Sequence, residues 1–256
     1  MYVEVNYAKK EYSDFLLDGI NFSVPKCSIV GIIGENGAGK STLLKIILGL
    51  TSLDGGNVRI MGANDLNKER TVFEKIGVVL DEDYLPNFLT PLNLNDIMKN
   101  IYHSWDENAY KQLIERFNIP VNKKTKDMSK GMKMKLSIIV SMSHEAELYV
   151  LDEPTTGLDP IVREDLLELF LELKEEGKTI LFSSHITTDL EKIADIILFL
   201  HNGKQIFYEA KEDILYTADN DNKIGANVHT DKGFSKEIMN NRTLDRVMSN
   251  YIKGGE

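Results

Sequence analysis

A chain of 256 residues, 42% of them hydrophobic, is long enough to bury a core for one large domain or for a domain with a subdomain. Its 40 acidic and 30 basic residues leave a formal charge of -10, which argues against tight sequence-independent nucleic-acid binding, because that binding needs lysine and arginine to displace phosphate counterions. Cys27 has no second cysteine to pair with, no apolar run approaches the roughly 20 residues of a membrane-spanning helix, and Met1 to Tyr12 holds no secretory apolar stretch, so a cytoplasmic setting is expected.

After short alternating segments, Ser28 to Ile33 is a compact β-branched run that predicts a buried strand. The glycine-rich stretch Gly34-Glu-Asn-Gly-Ala-Gly-Lys40-Ser41 follows at once. Ser41 to Leu50 predicts a helix ended by Gly49, and Gly56 to Met61 and Lys75 to Leu80 predict further strands. From about Tyr84 to Met142 helical spacing takes over, which suggests an inserted helical subdomain. Alternation resumes with a strand at Leu148 to Leu151, an amphipathic helix at Ile161 to Glu175 stopped by Gly177, and a strand at Thr179 to Ser183. Leu198 to Leu200 and Gln205 to Tyr208 flank Asn202-Gly203, a hairpin turn signal. The expected fold class is α/β, mostly parallel, with residues 1–208 as the main domain, the helical subdomain at about 84–142 and a polar extension at 209–256. A short helix is expected at Thr243 to Ile252. Cys27 reads as a half-buried strand residue, Met132 and Met134 as helix packing, and Trp105 as core packing rather than part of a docking groove.

Two glycines, a lysine and a hydroxyl residue stand in Gly34 to Ser41 at the spacing of a phosphate loop. Glycines let successive backbone amides turn inward around phosphates, and the helix behind presents its N-terminal dipole. Lys40 would neutralise the β and γ phosphates and Ser41 would ligate magnesium, so a nucleoside triphosphate, ATP by preference, is the expected ligand. Glu147 to Glu153 is an apolar strand ending in two carboxylates. Asp152 would orient magnesium through water, and Glu153 would position the attacking water. His185, after the strand Thr179 to Ser183, suits contact with a γ-phosphate oxygen as a neutral imidazole; taken alone it would more readily be structural. Ser129, before a helix beginning at Lys133, is by itself an ordinary N-cap.

The order of these motifs (phosphate loop, helical insert ending in Ser129-Lys-Gly131, Leu151-Asp-Glu-Pro-Thr-Thr-Gly-Leu-Asp159, Ser-Ser-His185) resembles the nucleotide-binding subunits of ATP-binding cassette (ABC) transporters over roughly residues 3–208. The resemblance implies a P-loop NTPase core of RecA-like, mostly parallel sheet, a small antiparallel β subdomain and the helical signature subdomain. It implies ATP hydrolysis with magnesium as cofactor, at sites shared by two cassettes that meet head to tail, either a homodimer or a pair with a close paralogue. Tyr12 falls where the family stacks an aromatic on adenine; packing on the core is the other reading of that tyrosine. Asn36, Gly37, Gly39 and Thr42 complete the phosphate loop, Ser129 and Gly131 would touch the partner's nucleotide, and Asp159 would bridge the interface. Met128, Lys130 and Met132 depart from the family's Leu-Ser-Gly-Gly-Gln. Where the family has a magnesium-binding glutamine, this chain offers Asp81, or Glu82 if the strand runs one residue longer. The resemblance is greatest to bacterial exporters of antibiotics or amphipathic peptides, whose permease is a separate membrane chain, which implies a peripheral position on the cytoplasmic face of the membrane. A soluble cassette ATPase acting on DNA or the ribosome is the alternative, disfavoured by the acidic charge.

Overall fold

The computed structural model describes residues 1–66, 68–81, 84–215 and 243–254. Their elements run β1 (Val3–Glu11), β2 (Leu16–Val24), β3 (Ile29–Ile33), α1 (Lys40–Ile47), β4 (Gly55–Ile60), α2 (Arg70–Phe73), β5 (Ile76–Val79), α3 (Pro91–Ile101) and α4 (Glu107–Arg116). They continue with α5 (Lys130–Met142), β6 (Leu148–Asp152), α6 (Pro160–Glu175), β7 (Thr179–Ser184), α7 (Thr187–Ile193), β8 (Ile196–His201), β9 (Lys204–Ala210) and α8 (Leu244–Gly254).

The strands join in the order β4-β1-β2-β9-β8-β3-β7-β6-β5. Strands β8, β3, β7, β6 and β5 are parallel neighbours, and every residue of β3, β6 and β7 is buried. Strands covered on both faces have no polar side, which is why Ile29-Val-Gly-Ile-Ile33 reads as an unbroken apolar run. At the far end β1 pairs antiparallel with β2 and β4 and mixes buried with exposed positions, as a half-solvated sheet does. The fold is thus α/β, a parallel core with an antiparallel β subdomain and a helical insert.

That insert comprises α3, α4 and α5, each with its own start signal. Thr90 and Asn93 form a capping box ahead of Pro91 on α3, Asp106 caps α4 and Ser129 caps α5. Leu94, Tyr110, Ile114 and Met134 pack into the same hydrophobic cluster as Val79 and Leu151, so the insert and the parallel sheet share a core. Trp105 is half-buried there, between the rings of Tyr102 and Tyr110, and donates from Nε1 to Asn95 Oδ1 at 3.0 Å.

Cys27 differs from its expectation. It is exposed, in the turn between β2 and β3, with φ 54°, because Pro25 and Lys26 have already ended β2. Helix α7, directly after His185, has no counterpart among the sequence expectations; seven residues are too few for a clear helical period. Helix α8 buries Leu244 and Val247 in the common core.

Candidate active site

The site starts where β3 stops. The buried strand delivers Gly34 to the C-terminal edge of the sheet, and the chain turns through Gly37 (φ 84°) and Gly39 (φ 105°) into α1. Both angles lie in the left-handed region that favours glycine. At Gly39 a Cβ would also lie 2.8 Å from Leu17 Cδ1 and 2.9 Å from Phe15 Cζ. Lys40, 5% exposed, folds back over the loop: its Nζ donates to the carbonyls of Gly34 at 2.8 Å and Glu35 at 3.2 Å. The same ammonium lies 3.3 Å from Glu153 Oε1.

A cavity of 650 Å³ opens over this loop, a size ordinary for a nucleotide-scale ligand. Its walls bring together Tyr12, Asn36, Gly37, Gly39, Lys40, Ser41, Thr42, Asp81, Glu153 and His185. Gly34 lies beneath the loop, held so close to the Leu200 carbonyl that a Cβ there would sit 2.4 Å from it. Tyr12 is 44% exposed at the rim, its ring 6.5 Å from that of Phe15, so the arrangement offers an open aromatic face rather than a core-packed tyrosine.

Glu153 is the strained residue of the site. Its φ is 50°, a conformation costing about 1–3 kcal/mol for a residue with a side chain. Its backbone N–H donates to Ser183 O and Ser183 Oγ, both at 3.1 Å. The carboxylate Oε2 accepts from Thr156 Oγ1 at 2.9 Å and lies 2.7 Å from His185 Nδ1. An ionised carboxylate can only accept, so the His185 hydrogen sits on Nδ1. In this arrangement a neutral ring presents a lone pair at Nε2; donating to a phosphate oxygen as well requires either the imidazolium form or release of Glu153.

Asp152, 2% exposed, accepts from Ser183 Oγ at 2.5 Å and from the hydroxyl of Ser41. Burial pushes its carboxyl above the usual carboxylate range, with Glu153 and Asp81 adding in the same direction, against the two hydroxyl bonds. A raised acid binds its proton more readily folded than unfolded, so its cost to stability is fully present at neutral pH and fades as pH falls through the carboxylate range. Asp152→Asn removes the charge that burial penalises and is therefore expected to raise the Tm of the nucleotide-free chain at pH 7. The gain should shrink as pH falls toward the ordinary aspartate value and have largely gone by about pH 4, and magnesium-dependent hydrolysis should be lost. Unfolding scans at both pH values, beside a phosphate-release assay, check this.

The donor set suits magnesium. That ion takes oxygen ligands, one or two of them carboxylates, and keeps water and phosphate oxygens for the rest. Ser41 and Asp81 supply oxygen atoms in the cavity wall and buried Asp152 stands behind Ser41, bonded to its hydroxyl, while among the described residues no three Asp, Glu, His or Cys side chains gather into a cage. Asp81 is half-exposed, and its Oδ1 is paired with Lys130 Nζ at 2.7 Å. Glu82 lies outside the described residues.

Three candidates stand apart. Ser129, Gly131 and Asp159 do not line the cavity. Ser129 is exposed and spends its hydroxyl on capping α5, accepting from Met132 N at 3.2 Å. Gly131 packs against the turn before α6, where a Cβ would lie 3.1 Å from Gly157 O. Asp159 is exposed and caps α6 through Val162 N at 3.1 Å. Sequence reasoning missed Phe15, Thr156 and Ser183. Phe15 closes the turn from Tyr12, accepting its N–H at 2.8 Å, and an aromatic so near Tyr12 was a usable signal. Ser183 serves both Asp152 and Glu153 only because β6 and β7 pair Asp152 with Ser183, which the chain order does not reveal.

A family model described as "ABC transporter" matches residues 17–156. The chain is 34% identical over 220 residues to the lantibiotic transport ATP-binding protein SrtF of Streptococcus pyogenes, covering 83% of this chain and 93% of that one. It is 33% identical over 205 residues to the bacitracin transport ATP-binding protein BcrA of Enterococcus faecalis, covering 78% and 67%. Among solved structures it matches an ATP-binding subunit of an ABC transporter with TM-score 0.81 and 27% identity over 100% of both chains. It also shares its fold with a dimeric post-hydrolysis cassette bound to ADP and phosphate, at TM-score 0.69 and 24% identity over 81% of this chain and 98% of that one.

Proposed function

This chain belongs to the ABC transporter family as one of its nucleotide-binding, ATP-hydrolysing subunits, and from that premise we propose that it closes with a second cassette over magnesium-ATP to drive export of peptides or antibiotics through a separate permease. The observation that carries this reading is the half site. One wall holds Lys40, Ser41, Glu153 and His185 around a single cavity, while Ser129 and Gly131, at the exposed start of α5, are available to another chain's nucleotide.

In this reading Tyr12 stacks on adenine, and the amides from Asn36 to Thr42 with Lys40 hold the phosphates. Ser41, Asp152 and Asp81 would hold magnesium, which when bound would supply neutralisation of charge on the β and γ phosphates. Asp81 holds Lys130 through Oδ1 and keeps Oδ2 for that role. Glu153 orients the attacking water, with His185 holding it in register, and Asp159 meets the second chain. Residues 1–208 are the ATPase unit, with the helical subdomain at about 84–142, and 209–256 are a C-terminal extension.

An apolar groove of 510 Å³ supports a permease partner. Leu50, Phe73, Tyr84 and Phe88 line it and are 40–69% exposed, an apolar concentration that marks interaction sites. Leu80 lines this groove and Asp81 lines the nucleotide cavity, so a helix docked in the groove would bear on the strand end that carries Asp81. Among the described residues no helix is long and apolar enough to cross a membrane, consistent with a peripheral place on the cytoplasmic face. No observation favours action on DNA or the ribosome. The test is recovery of the tagged chain from membranes: a polytopic membrane protein should accompany it, and recovery of the chain alone, with and without ATP, would count decisively against transport.

A further inference from the structure

Asp189 is 1% exposed and has no part in the reading above. Its Oδ2 accepts from Thr155 Oγ1 at 2.7 Å, and its Oδ1 accepts from Arg163 Nε at 2.6 Å. Arg163 Nη2 also pairs with Asp189 and donates to Thr188 Oγ1 at 3.0 Å. Each of these residues sits just behind one that the proposed reaction uses. Thr155 is in the turn that begins at Glu153, Arg163 is in the first turn of α6 behind its cap Asp159, and Asp189 is in the first turn of α7 behind His185.

Asp189 is the buried end of an ion pair whose Arg163 side chain stays 26% exposed, and burying a charge in such a pair is a poor means of adding stability, since a well-packed apolar replacement often does as well or better. What this one supplies is register. Glu153 Oε2 is held jointly by Thr156 from its own turn and by His185 from the loop before α7. Any slip between those loops therefore pulls the carboxylate off its geometry, and misplacement of about 1 Å can cost on the order of a hundredfold in rate.

We infer that Asp189, with Arg163 and Thr155, is a positioning cluster that fixes the turn carrying Glu153 relative to the loop carrying His185, so that the hydrolytic pair keeps its register. The inference rests on the hydrolytic reading proposed above. None of the three side chains touches the nucleotide in it; they act through Glu153 and His185.

Thr155→Val, Thr155→Ser, Asp189→Asn and Thr155→Val/Asp189→Asn are compared with wild type for kcat, KM, equilibrium ATP affinity and Tm, with Glu153→Gln alongside. Thr155→Val should lower kcat about tenfold with KM and ATP affinity within about twofold, the pattern of an interaction made only in the transition state. Thr155→Ser, which keeps the hydroxyl, should return kcat to within about twofold of wild type. Because the cluster acts as a unit, the double variant should be no slower than Asp189→Asn alone. An unchanged kcat in Thr155→Val while Glu153→Gln is inactive overturns the inference and leaves the hydrolytic reading standing. A Tm loss shared by Thr155→Val and Thr155→Ser without recovery of kcat also overturns it. A wild-type chain that hydrolyses no ATP overturns both.

Discussion

Glu153→Gln is expected to lower the ATPase rate by about 10²–10³-fold while ATP binding persists, so that the chain accumulates as an ATP-dependent dimer. The carboxylate is held from three sides: by Thr156 at 2.9 Å, by His185 at 2.7 Å and by Lys40 at 3.3 Å. Glutamine has the same length and shape but only one acceptor oxygen, so it cannot serve all these donors and carries no charge to orient water. The phosphate loop, the Tyr12 face and the exposed start of α5 are untouched, so binding and closure remain while the step that reopens the dimer is lost. Phosphate release measures the rate, and size-exclusion chromatography with light scattering, with and without ATP, measures assembly. A variant that keeps more than about half the wild-type rate would place the water-orienting group elsewhere.

How much of this was legible in the chain depends on how local each feature is. Strands β3 and β6 could be read because full burial forces unbroken apolar runs, and because the residues that follow them, Gly34 to Ser41 and Asp152-Glu153, are contiguous sets whose spacing is itself the signal. The α5 cap and the Asn202-Gly203 hairpin are equally local. Features that depend on register between distant segments were hidden. Ser183 meets Asp152 and Glu153 through the pairing of β6 with β7, and Thr155 meets Asp189 only once α7 has formed. The Asp81–Lys130 pair joins the end of β5 to the start of α5 across the whole helical insert. Each of the two residues could be noted as a departure from the family pattern, yet nothing local shows that the departures compensate one another in charge.

Mixing a Lys40→Ala chain with a Ser129→Arg chain is expected to restore hydrolysis that neither should show alone. Lys40 is the ammonium in the cavity wall, 5% exposed and bonded across the loop to Gly34 O, and alanine removes the charge that the phosphates require. Ser129 is exposed at the start of α5, so arginine there costs the fold little beyond the cap, about 1 kcal/mol, but obstructs the surface offered to another chain's nucleotide. In the proposed two-fold dimer each site would take its phosphate loop from one chain and its signature from the other. A mixed dimer therefore carries one site with both defects and one with neither. Random pairing makes half the dimers mixed and half of their sites intact, which sets the expected rate at about a quarter of wild type. If each chain hydrolysed ATP by itself, the mixture could only show the mean of the two separate rates, and that result would overturn the shared site. Equilibrium ATP binding by the Ser129→Arg chain alone completes the argument, because its phosphate loop is intact: near wild-type affinity with no turnover locates its defect in the signature half of the site rather than in the capture of nucleotide.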